Sequence, residues 1–126
     1  MKSAKTVLII EDEKQVRESI VDILKLKGYK TLEASDGTVG FELAKSKIPD
    51  VVLCDIMMPN MDGFETISKF KANSLTKYIK FIFLTAKIEE ENRTLGIELG
   101  ASAYITKPFT VDQLLTAIES EPAARV

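Results

Sequence analysis

Four short segments of this chain carry side chains with chemistry to offer, and each directly follows a run of mostly apolar residues. Glu11-Asp12-Glu13 follows Val7-Leu8-Ile9-Ile10, and Asp55 follows Val51-Val52-Leu53-Cys54. Thr85-Ala86 follows Phe81-Ile82-Phe83-Leu84, and Lys107-Pro108 follows Ala103-Tyr104-Ile105-Thr106. If those runs are neighbouring strands, the carboxylates of Glu11, Asp12 and Asp55 meet one lysine and one hydroxyl. Clustered carboxylates repel each other and take up protons unless a cation joins them. Mg²⁺ suits such a place, because it binds few protein carboxylates and keeps waters and substrate oxygens. Lys107 adds a compact positive charge for a phosphate oxygen, and Thr85 adds a hydroxyl donor. These are the parts of phosphoryl transfer, which needs positioning and neutralisation of three equatorial oxygens. A carboxylate not consumed by the metal can serve as nucleophile and give an acyl phosphate. Residue types alone leave open which carboxylate attacks.

What the chain lacks narrows the chemistry further. It has no histidine, which removes Ser-His and Cys-His catalysis and His-ligated zinc, and puts any phosphoryl group on another residue type. A single cysteine, Cys54, permits no internal disulfide. With 17 basic and 19 acidic residues the net charge is −2, so the chain lacks the basic face of a nucleic-acid binder. Its longest apolar runs are four or five residues, against roughly 18 for a membrane helix. No apolar signal segment opens it, and a cytoplasmic location is the expectation. At 126 residues it has the length of one domain with an ordinary core.

The elements that must position these residues alternate. Thr6–Ile10 is β-branched and apolar, as in a strand buried on both faces. Val16, Ile20 and Leu24 recur every fourth residue up to Gly28, which predicts a helix with a glycine stop. Lys30–Ala34 reads as a second strand, followed by a turn at Ser35-Asp36-Gly37 and a helix from about Thr38 to Ser46 ahead of Pro49. Val51–Cys54 is a third strand, and Pro59-Asn60 a turn. Met61, Phe64 and Ile67 mark the next helix, and Phe81–Leu84 a fourth strand. Ile88, Leu95 and Leu99 mark a helix stopped by Gly100, and Ala103–Thr106 a fifth strand. Thr110 and Gln113 form a capping box for the last helix, which carries Val111, Leu114, Leu115 and Ile118 and closes at Pro122. Five strands alternating with five helices predict an α/β parallel sheet covered on both faces. Sites in such sheets lie beyond the carboxyl ends of the strands, where the four chemical segments fall.

The four segments, in this order and at these separations, resemble the receiver domain of two-component response regulators. The resemblance spans about residues 5–120. It implies a flavodoxin-like doubly wound fold with five parallel strands in the order 2-1-3-4-5 and five helices. It also implies a single receiver domain over 1–126, with 122–126 a tail or the start of a linker. By the same resemblance Asp55 is the phosphoacceptor, Asp12 a direct Mg²⁺ ligand, Glu11 a ligand through water, and the Met57 main-chain carbonyl a further ligand. Lys107 pairs with the acceptor and then with the phosphoryl group, which Thr85 and the Ala86 backbone also bind. Tyr104 is the aromatic switch that turns inward in the active state, and Lys107-Pro108 is expected to be a cis peptide. Met57 and Lys87 hold positions that tune dephosphorylation, and Met57 is expected to obstruct the attacking water. Glu11 stands where the family more often has aspartate.

The function so implied is a phosphorylation-dependent switch. It takes a phosphoryl group from a histidine kinase or histidine phosphotransfer protein and shifts an inactive–active equilibrium. The change is read at the face of the fourth helix, fifth strand and fifth helix, by an output protein or domain or through homodimerisation. No direct nucleic-acid or membrane partner is expected, and no enzymatic activity beyond the domain's own phosphorylation and dephosphorylation. The alternative is a Mg²⁺-dependent phosphatase or nuclease on a related α/β fold. Asp55-Ile56-Met57 lacks the second acid such nucleases carry. A flavin carrier is a third class, but Glu11-Asp12-Glu13 would repel its phosphate. Cys54, one residue before Asp55, is expected to point into the core. Glu89-Glu90-Glu91 reads as a solvated helix face.

Overall fold

The computed structural model describes residues 4–86 and 90–120. Five strands and five helices alternate along the chain: β1 (Thr6–Ile10), α1 (Lys14–Leu26), β2 (Lys30–Ala34), α2 (Gly37–Lys47), β3 (Val51–Cys54), α3 (Gly63–Ala72), β4 (Lys80–Thr85), α4 (Glu90–Glu98), β5 (Ala103–Thr106) and α5 (Val111–Glu119). All strand pairs are parallel, in the order β2-β1-β3-β4-β5. The flavodoxin-like order is therefore the observed one.

Register explains how alternate residues are sorted. Ala34, Ile10, Cys54, Phe83 and Tyr104 form one row across the sheet. All five pack on the same side, with Phe41 and Ala44 of α2 and Ile67 and Phe70 of α3. The intervening positions Ile9, Leu53, Leu84 and Ile105 face α1 and α5, against Ile20, Leu24, Leu114 and Ile118. Burying each such aliphatic side chain is worth about 1.5–3 kcal/mol. Cys54 is fully buried, as its place in the strand requires.

Local signals set the element ends. Asp36 accepts a hydrogen bond from the Val39 amide, so α2 begins at Gly37, a residue earlier than its apolar pattern suggests. Asp62 accepts from the Glu65 amide and starts α3 at Gly63, which leaves Met61 in the preceding turn rather than on the helix stripe. The capping box of Thr110 and Gln113 is formed on both sides. Leu95 is 41% exposed and is not part of the buried face of α4, on which Gly96 is the one buried position among the residues whose burial is described. Ile88 and Pro122 lie outside the described residues. Among the described residues no helix is long and apolar enough to cross a membrane.

Candidate functional site

The carboxyl ends of β1, β3, β4 and β5 bring the predicted residues together. The Asp55 amide donates to the Ile10 carbonyl (3.1 Å) and the Lys107 amide to the Thr85 carbonyl (2.8 Å), extending the sheet past its formal ends. Glu11, Asp12 and Asp55 each offer a carboxylate oxygen, all within 4.8 Å of one another. Glu11 and Asp55 are buried, at 1% and 7% exposure.

Lys107 is the hinge of this arrangement. Its Nζ donates to Glu11 Oε1 at 2.7 Å and to Asp55 Oδ2 at 3.2 Å. The second Glu11 oxygen accepts from the Glu13 amide at 3.2 Å, and Asp55 Oδ1 accepts from the Met57 amide at 3.2 Å. The family resemblance anticipates the Lys107–Asp55 pair; the shorter contact to Glu11 goes beyond it. Burial pushes the Glu11 carboxyl up to about 7, against the opposing pull of Lys107 and the Glu13 amide. Burial works against the charge of Lys107 too, but the two carboxylates outweigh it and hold the ammonium above its ordinary value.

Among the described residues, the three carboxylates set against the Lys107 ammonium leave two formal negative charges at one spot. A divalent cation would cancel them, so the donor set fits Mg²⁺. Asp12 is the least buried of the three acids and has the most room to bind such an ion directly. Glu11, already engaged by Lys107 and the Glu13 amide, is better placed to act through water.

Thr85 is buried at the end of β4. The Lys107-Pro108 peptide is cis, as expected. Gly63 lets α3 start beside the loop that follows β3, since a Cβ there would lie 2.6 Å from the Asp55 carbonyl and 2.7 Å from the Ile56 Cα. Met57 is 77% exposed at the rim of the site. Tyr104 is half-buried with its ring 5.1 Å from that of Phe83, and its hydroxyl donates to the Asn92 carbonyl at 2.8 Å. Lys87 lies outside the described residues, as does Glu89.

Arg17 is the residue the sequence reading misses. Its Nη1 donates to the Glu11 carbonyl at 2.8 Å while Nε donates to Glu33 at 3.3 Å. It thereby fixes the backbone from which Glu11 and Asp12 project. Its spacing, one turn after Glu13 on α1, is the only sequence signal for that role.

A family model described as "Response regulator receiver domain" matches residues 7–119. The Phosphate regulon transcriptional regulatory protein PhoB of Pseudomonas aeruginosa is 40% identical over 116 residues, which is 92% of this chain and 51% of that protein. The chain thus spans about half the length of such curated relatives. Among solved structures, the chemotaxis protein CheY4 of Vibrio cholerae superposes with a TM-score of 0.88 at 28% identity, covering 92% of this chain and 97% of that one. The receiver domain of a sensor histidine kinase from Pseudomonas aeruginosa, solved with a magnesium ion in its active-site cleft, shares the fold. Its TM-score is 0.85 at 24% identity, over 92% of this chain and 95% of its own.

Proposed function

The chain belongs to the response regulator receiver domain family, and from that premise we propose that Asp55 is its phosphoacceptor, in a site completed by Mg²⁺. The domain is a signalling module of two-component systems. The observation that carries the site reading is the bridge Lys107 makes between Glu11 and Asp55, from strand ends 96 and 52 residues away.

In the proposed reaction an Asp55 carboxylate oxygen bonds to phosphorus while the bond from phosphorus to the donor's imidazole nitrogen breaks, leaving an acyl phosphate and free histidine. The family points to a histidine kinase or a phosphotransfer protein as donor, whose histidine lies outside these 126 residues. Asp12, Glu11, Asp55 and the Met57 carbonyl hold the cation, whose bound charge neutralises phosphoryl oxygens. Lys107 neutralises Asp55 before transfer and a phosphoryl oxygen afterwards. The Thr85 hydroxyl and the Ala86 amide bind the remaining oxygens, and Tyr104 reports the change to α4 and α5. The same groups support the domain's own hydrolysis of the acyl phosphate, with Met57 at the rim and Lys87 setting its rate. Nothing in Asp55-Ile56-Met57 supplies the second acid that the phosphatase or nuclease alternative wants, and that alternative is not favoured.

The relatives are named transcriptional regulatory proteins and are about twice this length, which supports an output domain or protein as the downstream partner. Homodimerisation through α4, β5 and α5 is the corresponding active assembly.

Intact mass after incubation with acetyl phosphate tests the reading. One Mg²⁺-dependent, hydroxylamine-labile phosphoryl addition is expected on the native chain and none on Asp55→Asn. An addition that persists in Asp55→Asn would overturn the assignment of the acceptor.

A further inference from the structure

Gly96 lies within α4, at a position where nothing in the backbone asks for glycine. Its φ is not among the positive ones, which belong to Gly28, Gly100, Ile48 and Asn60. Glycine in a helix is costlier than any residue except proline, so the cost calls for a return. That return is visible across the groove. A Cβ on residue 96 would lie 1.4 Å from the Tyr104 hydroxyl oxygen, 2.5 Å from Cζ and 3.0 Å from Cε2. The tyrosine therefore occupies the space that any other residue at 96 would fill.

The acceptor is equally specific. Tyr104 donates to the carbonyl of Asn92, four residues before Gly96, whose ordinary helical donor is the Gly96 amide. A carbonyl oxygen has a second lone pair, and the bare flank of Gly96 leaves it open to a side-chain donor. The ring also packs, tilted by 34°, against Phe83, two residues before Thr85, while Tyr104 itself stands three residues before Lys107. One side chain thus touches α4 and two strands that each end at the acidic site. Leu95 and Ile97, which flank Gly96, are 41% and 56% exposed and contribute little to holding α4 down.

We propose that Gly96 is a positioning residue: its missing side chain is the slot that seats Tyr104 against α4, so that the tyrosine rotamer and the placement of α4 form one two-state element. When the ring leaves the slot, the Asn92 carbonyl loses its second donor and α4 is released with its exposed Leu95 and Ile97. When it enters, α4 is pinned. The inference rests on the reading of Tyr104 as the reporter of phosphorylation, and it adds the surface that makes the inward position available.

A thermodynamic cycle tests the slot independently of that reading. Gly96→Ala is expected to lower the thermal midpoint of the native chain, because Cβ and the hydroxyl collide. In a Tyr104→Ala background the same substitution is expected to raise the midpoint, since alanine is then simply the better helix former. If Gly96→Ala alone does not fold, recovery of folding in the double variant is the same result. A rise in both backgrounds, or a fall of equal size in both, would overturn the slot. The reporter reading is checked separately with 3-fluorotyrosine-labelled protein, the Tyr104 resonance being assigned by Tyr104→Phe. That resonance is expected to move when Mg²⁺ and beryllofluoride are added to the native chain. A sign reversal in the cycle with an immobile resonance would leave the slot standing and overturn Tyr104 as reporter.

Discussion

Glu11 and Glu119 stand at opposite ends of the same sheet, in opposite charge environments. At the amino-terminal end, Glu119 at the close of α5 accepts from the Tyr29 hydroxyl and pairs with Lys5 at 3.2 Å. Lys80 caps the same helix end, donating to the Ile118 carbonyl at 3.2 Å and to the Ser120 carbonyl. The Tyr29 hydrogen bond and Lys5 hold the Glu119 carboxyl below its ordinary value. At the carboxyl-terminal end, Glu11 is buried beside Asp55 with one lysine between them, and its carboxyl is pushed up to about 7. One end is satisfied by the chain's own charges, and the other keeps an excess of acid that a proton on Glu11 or an added cation relieves. The difference separates an end whose charges are paired from an end whose donor set fits a cation.

Removing the ammonium that bridges Glu11 and Asp55 is the strongest way to break this contrast. Lys107→Ala is expected to slow Mg²⁺-dependent phosphorylation by about 10²–10³-fold, the usual cost of losing one preorganised donor at a developing charge. Lys5→Ala, at the other end, is expected to leave that rate unchanged; a time course of intact mass compares the two.

The opposite shifts give opposite pH dependences. Glu11 binds its proton more tightly folded than unfolded, so its contribution is full below about 4.5 and is lost as pH rises toward about 7. The loss is on the order of 3 kcal/mol, at about 1.4 kcal/mol per unit, with the opposing pull of Lys107 already included. Denaturant midpoints of the metal-free chain should fall across that window, and both saturating Mg²⁺ and Glu11→Gln should flatten the fall. Glu119 contributes with the other sign. Its stabilisation is present above the ordinary carboxylate value and is lost as pH drops through its lowered one.

Two smaller effects sharpen the comparison. Met57→Asn is expected to shorten the phosphorylated lifetime severalfold by admitting water at the rim, read as decay of the added mass. An unchanged or slower decay would count against the obstruction. Tyr29→Phe removes one hydrogen bond to Glu119 and should cost about 0.5–1.5 kcal/mol in denaturation without altering phosphorylation.

The acidic cluster was legible because it is written next to strands. Buried parallel strands need unbroken apolar runs, and Thr6–Ile10 and Val51–Cys54 announce them, so Glu11, Asp12 and Asp55 are found by looking one or two residues further. The α5 boundary was legible because Thr110 and Gln113 cap locally. What stayed hidden depends on distant pairs. Neither the preference of Lys107 for Glu11 nor the grip of Arg17 on the Glu11 carbonyl has a local signature. The apolar spacing of α4 suggested a buried Leu95, whereas the helix turns Gly96 inward because Tyr104 needs the room. The amino-terminal latch of Lys5, Tyr29, Lys80 and Glu119 likewise joins four residues far apart in the chain, whose spacing says nothing of one another.

Hydrogen exchange followed by mass spectrometry, on the native chain with and without Mg²⁺ and beryllofluoride, tests most directly whether the acidic end responds while the satisfied end stays fixed. The expected result is altered exchange in the segments after β1, β3 and β4 and through α4, with the amides of residues 29–30 and 116–120 unchanged. Equal change at both ends, or change confined to the end of α5, would contradict the account.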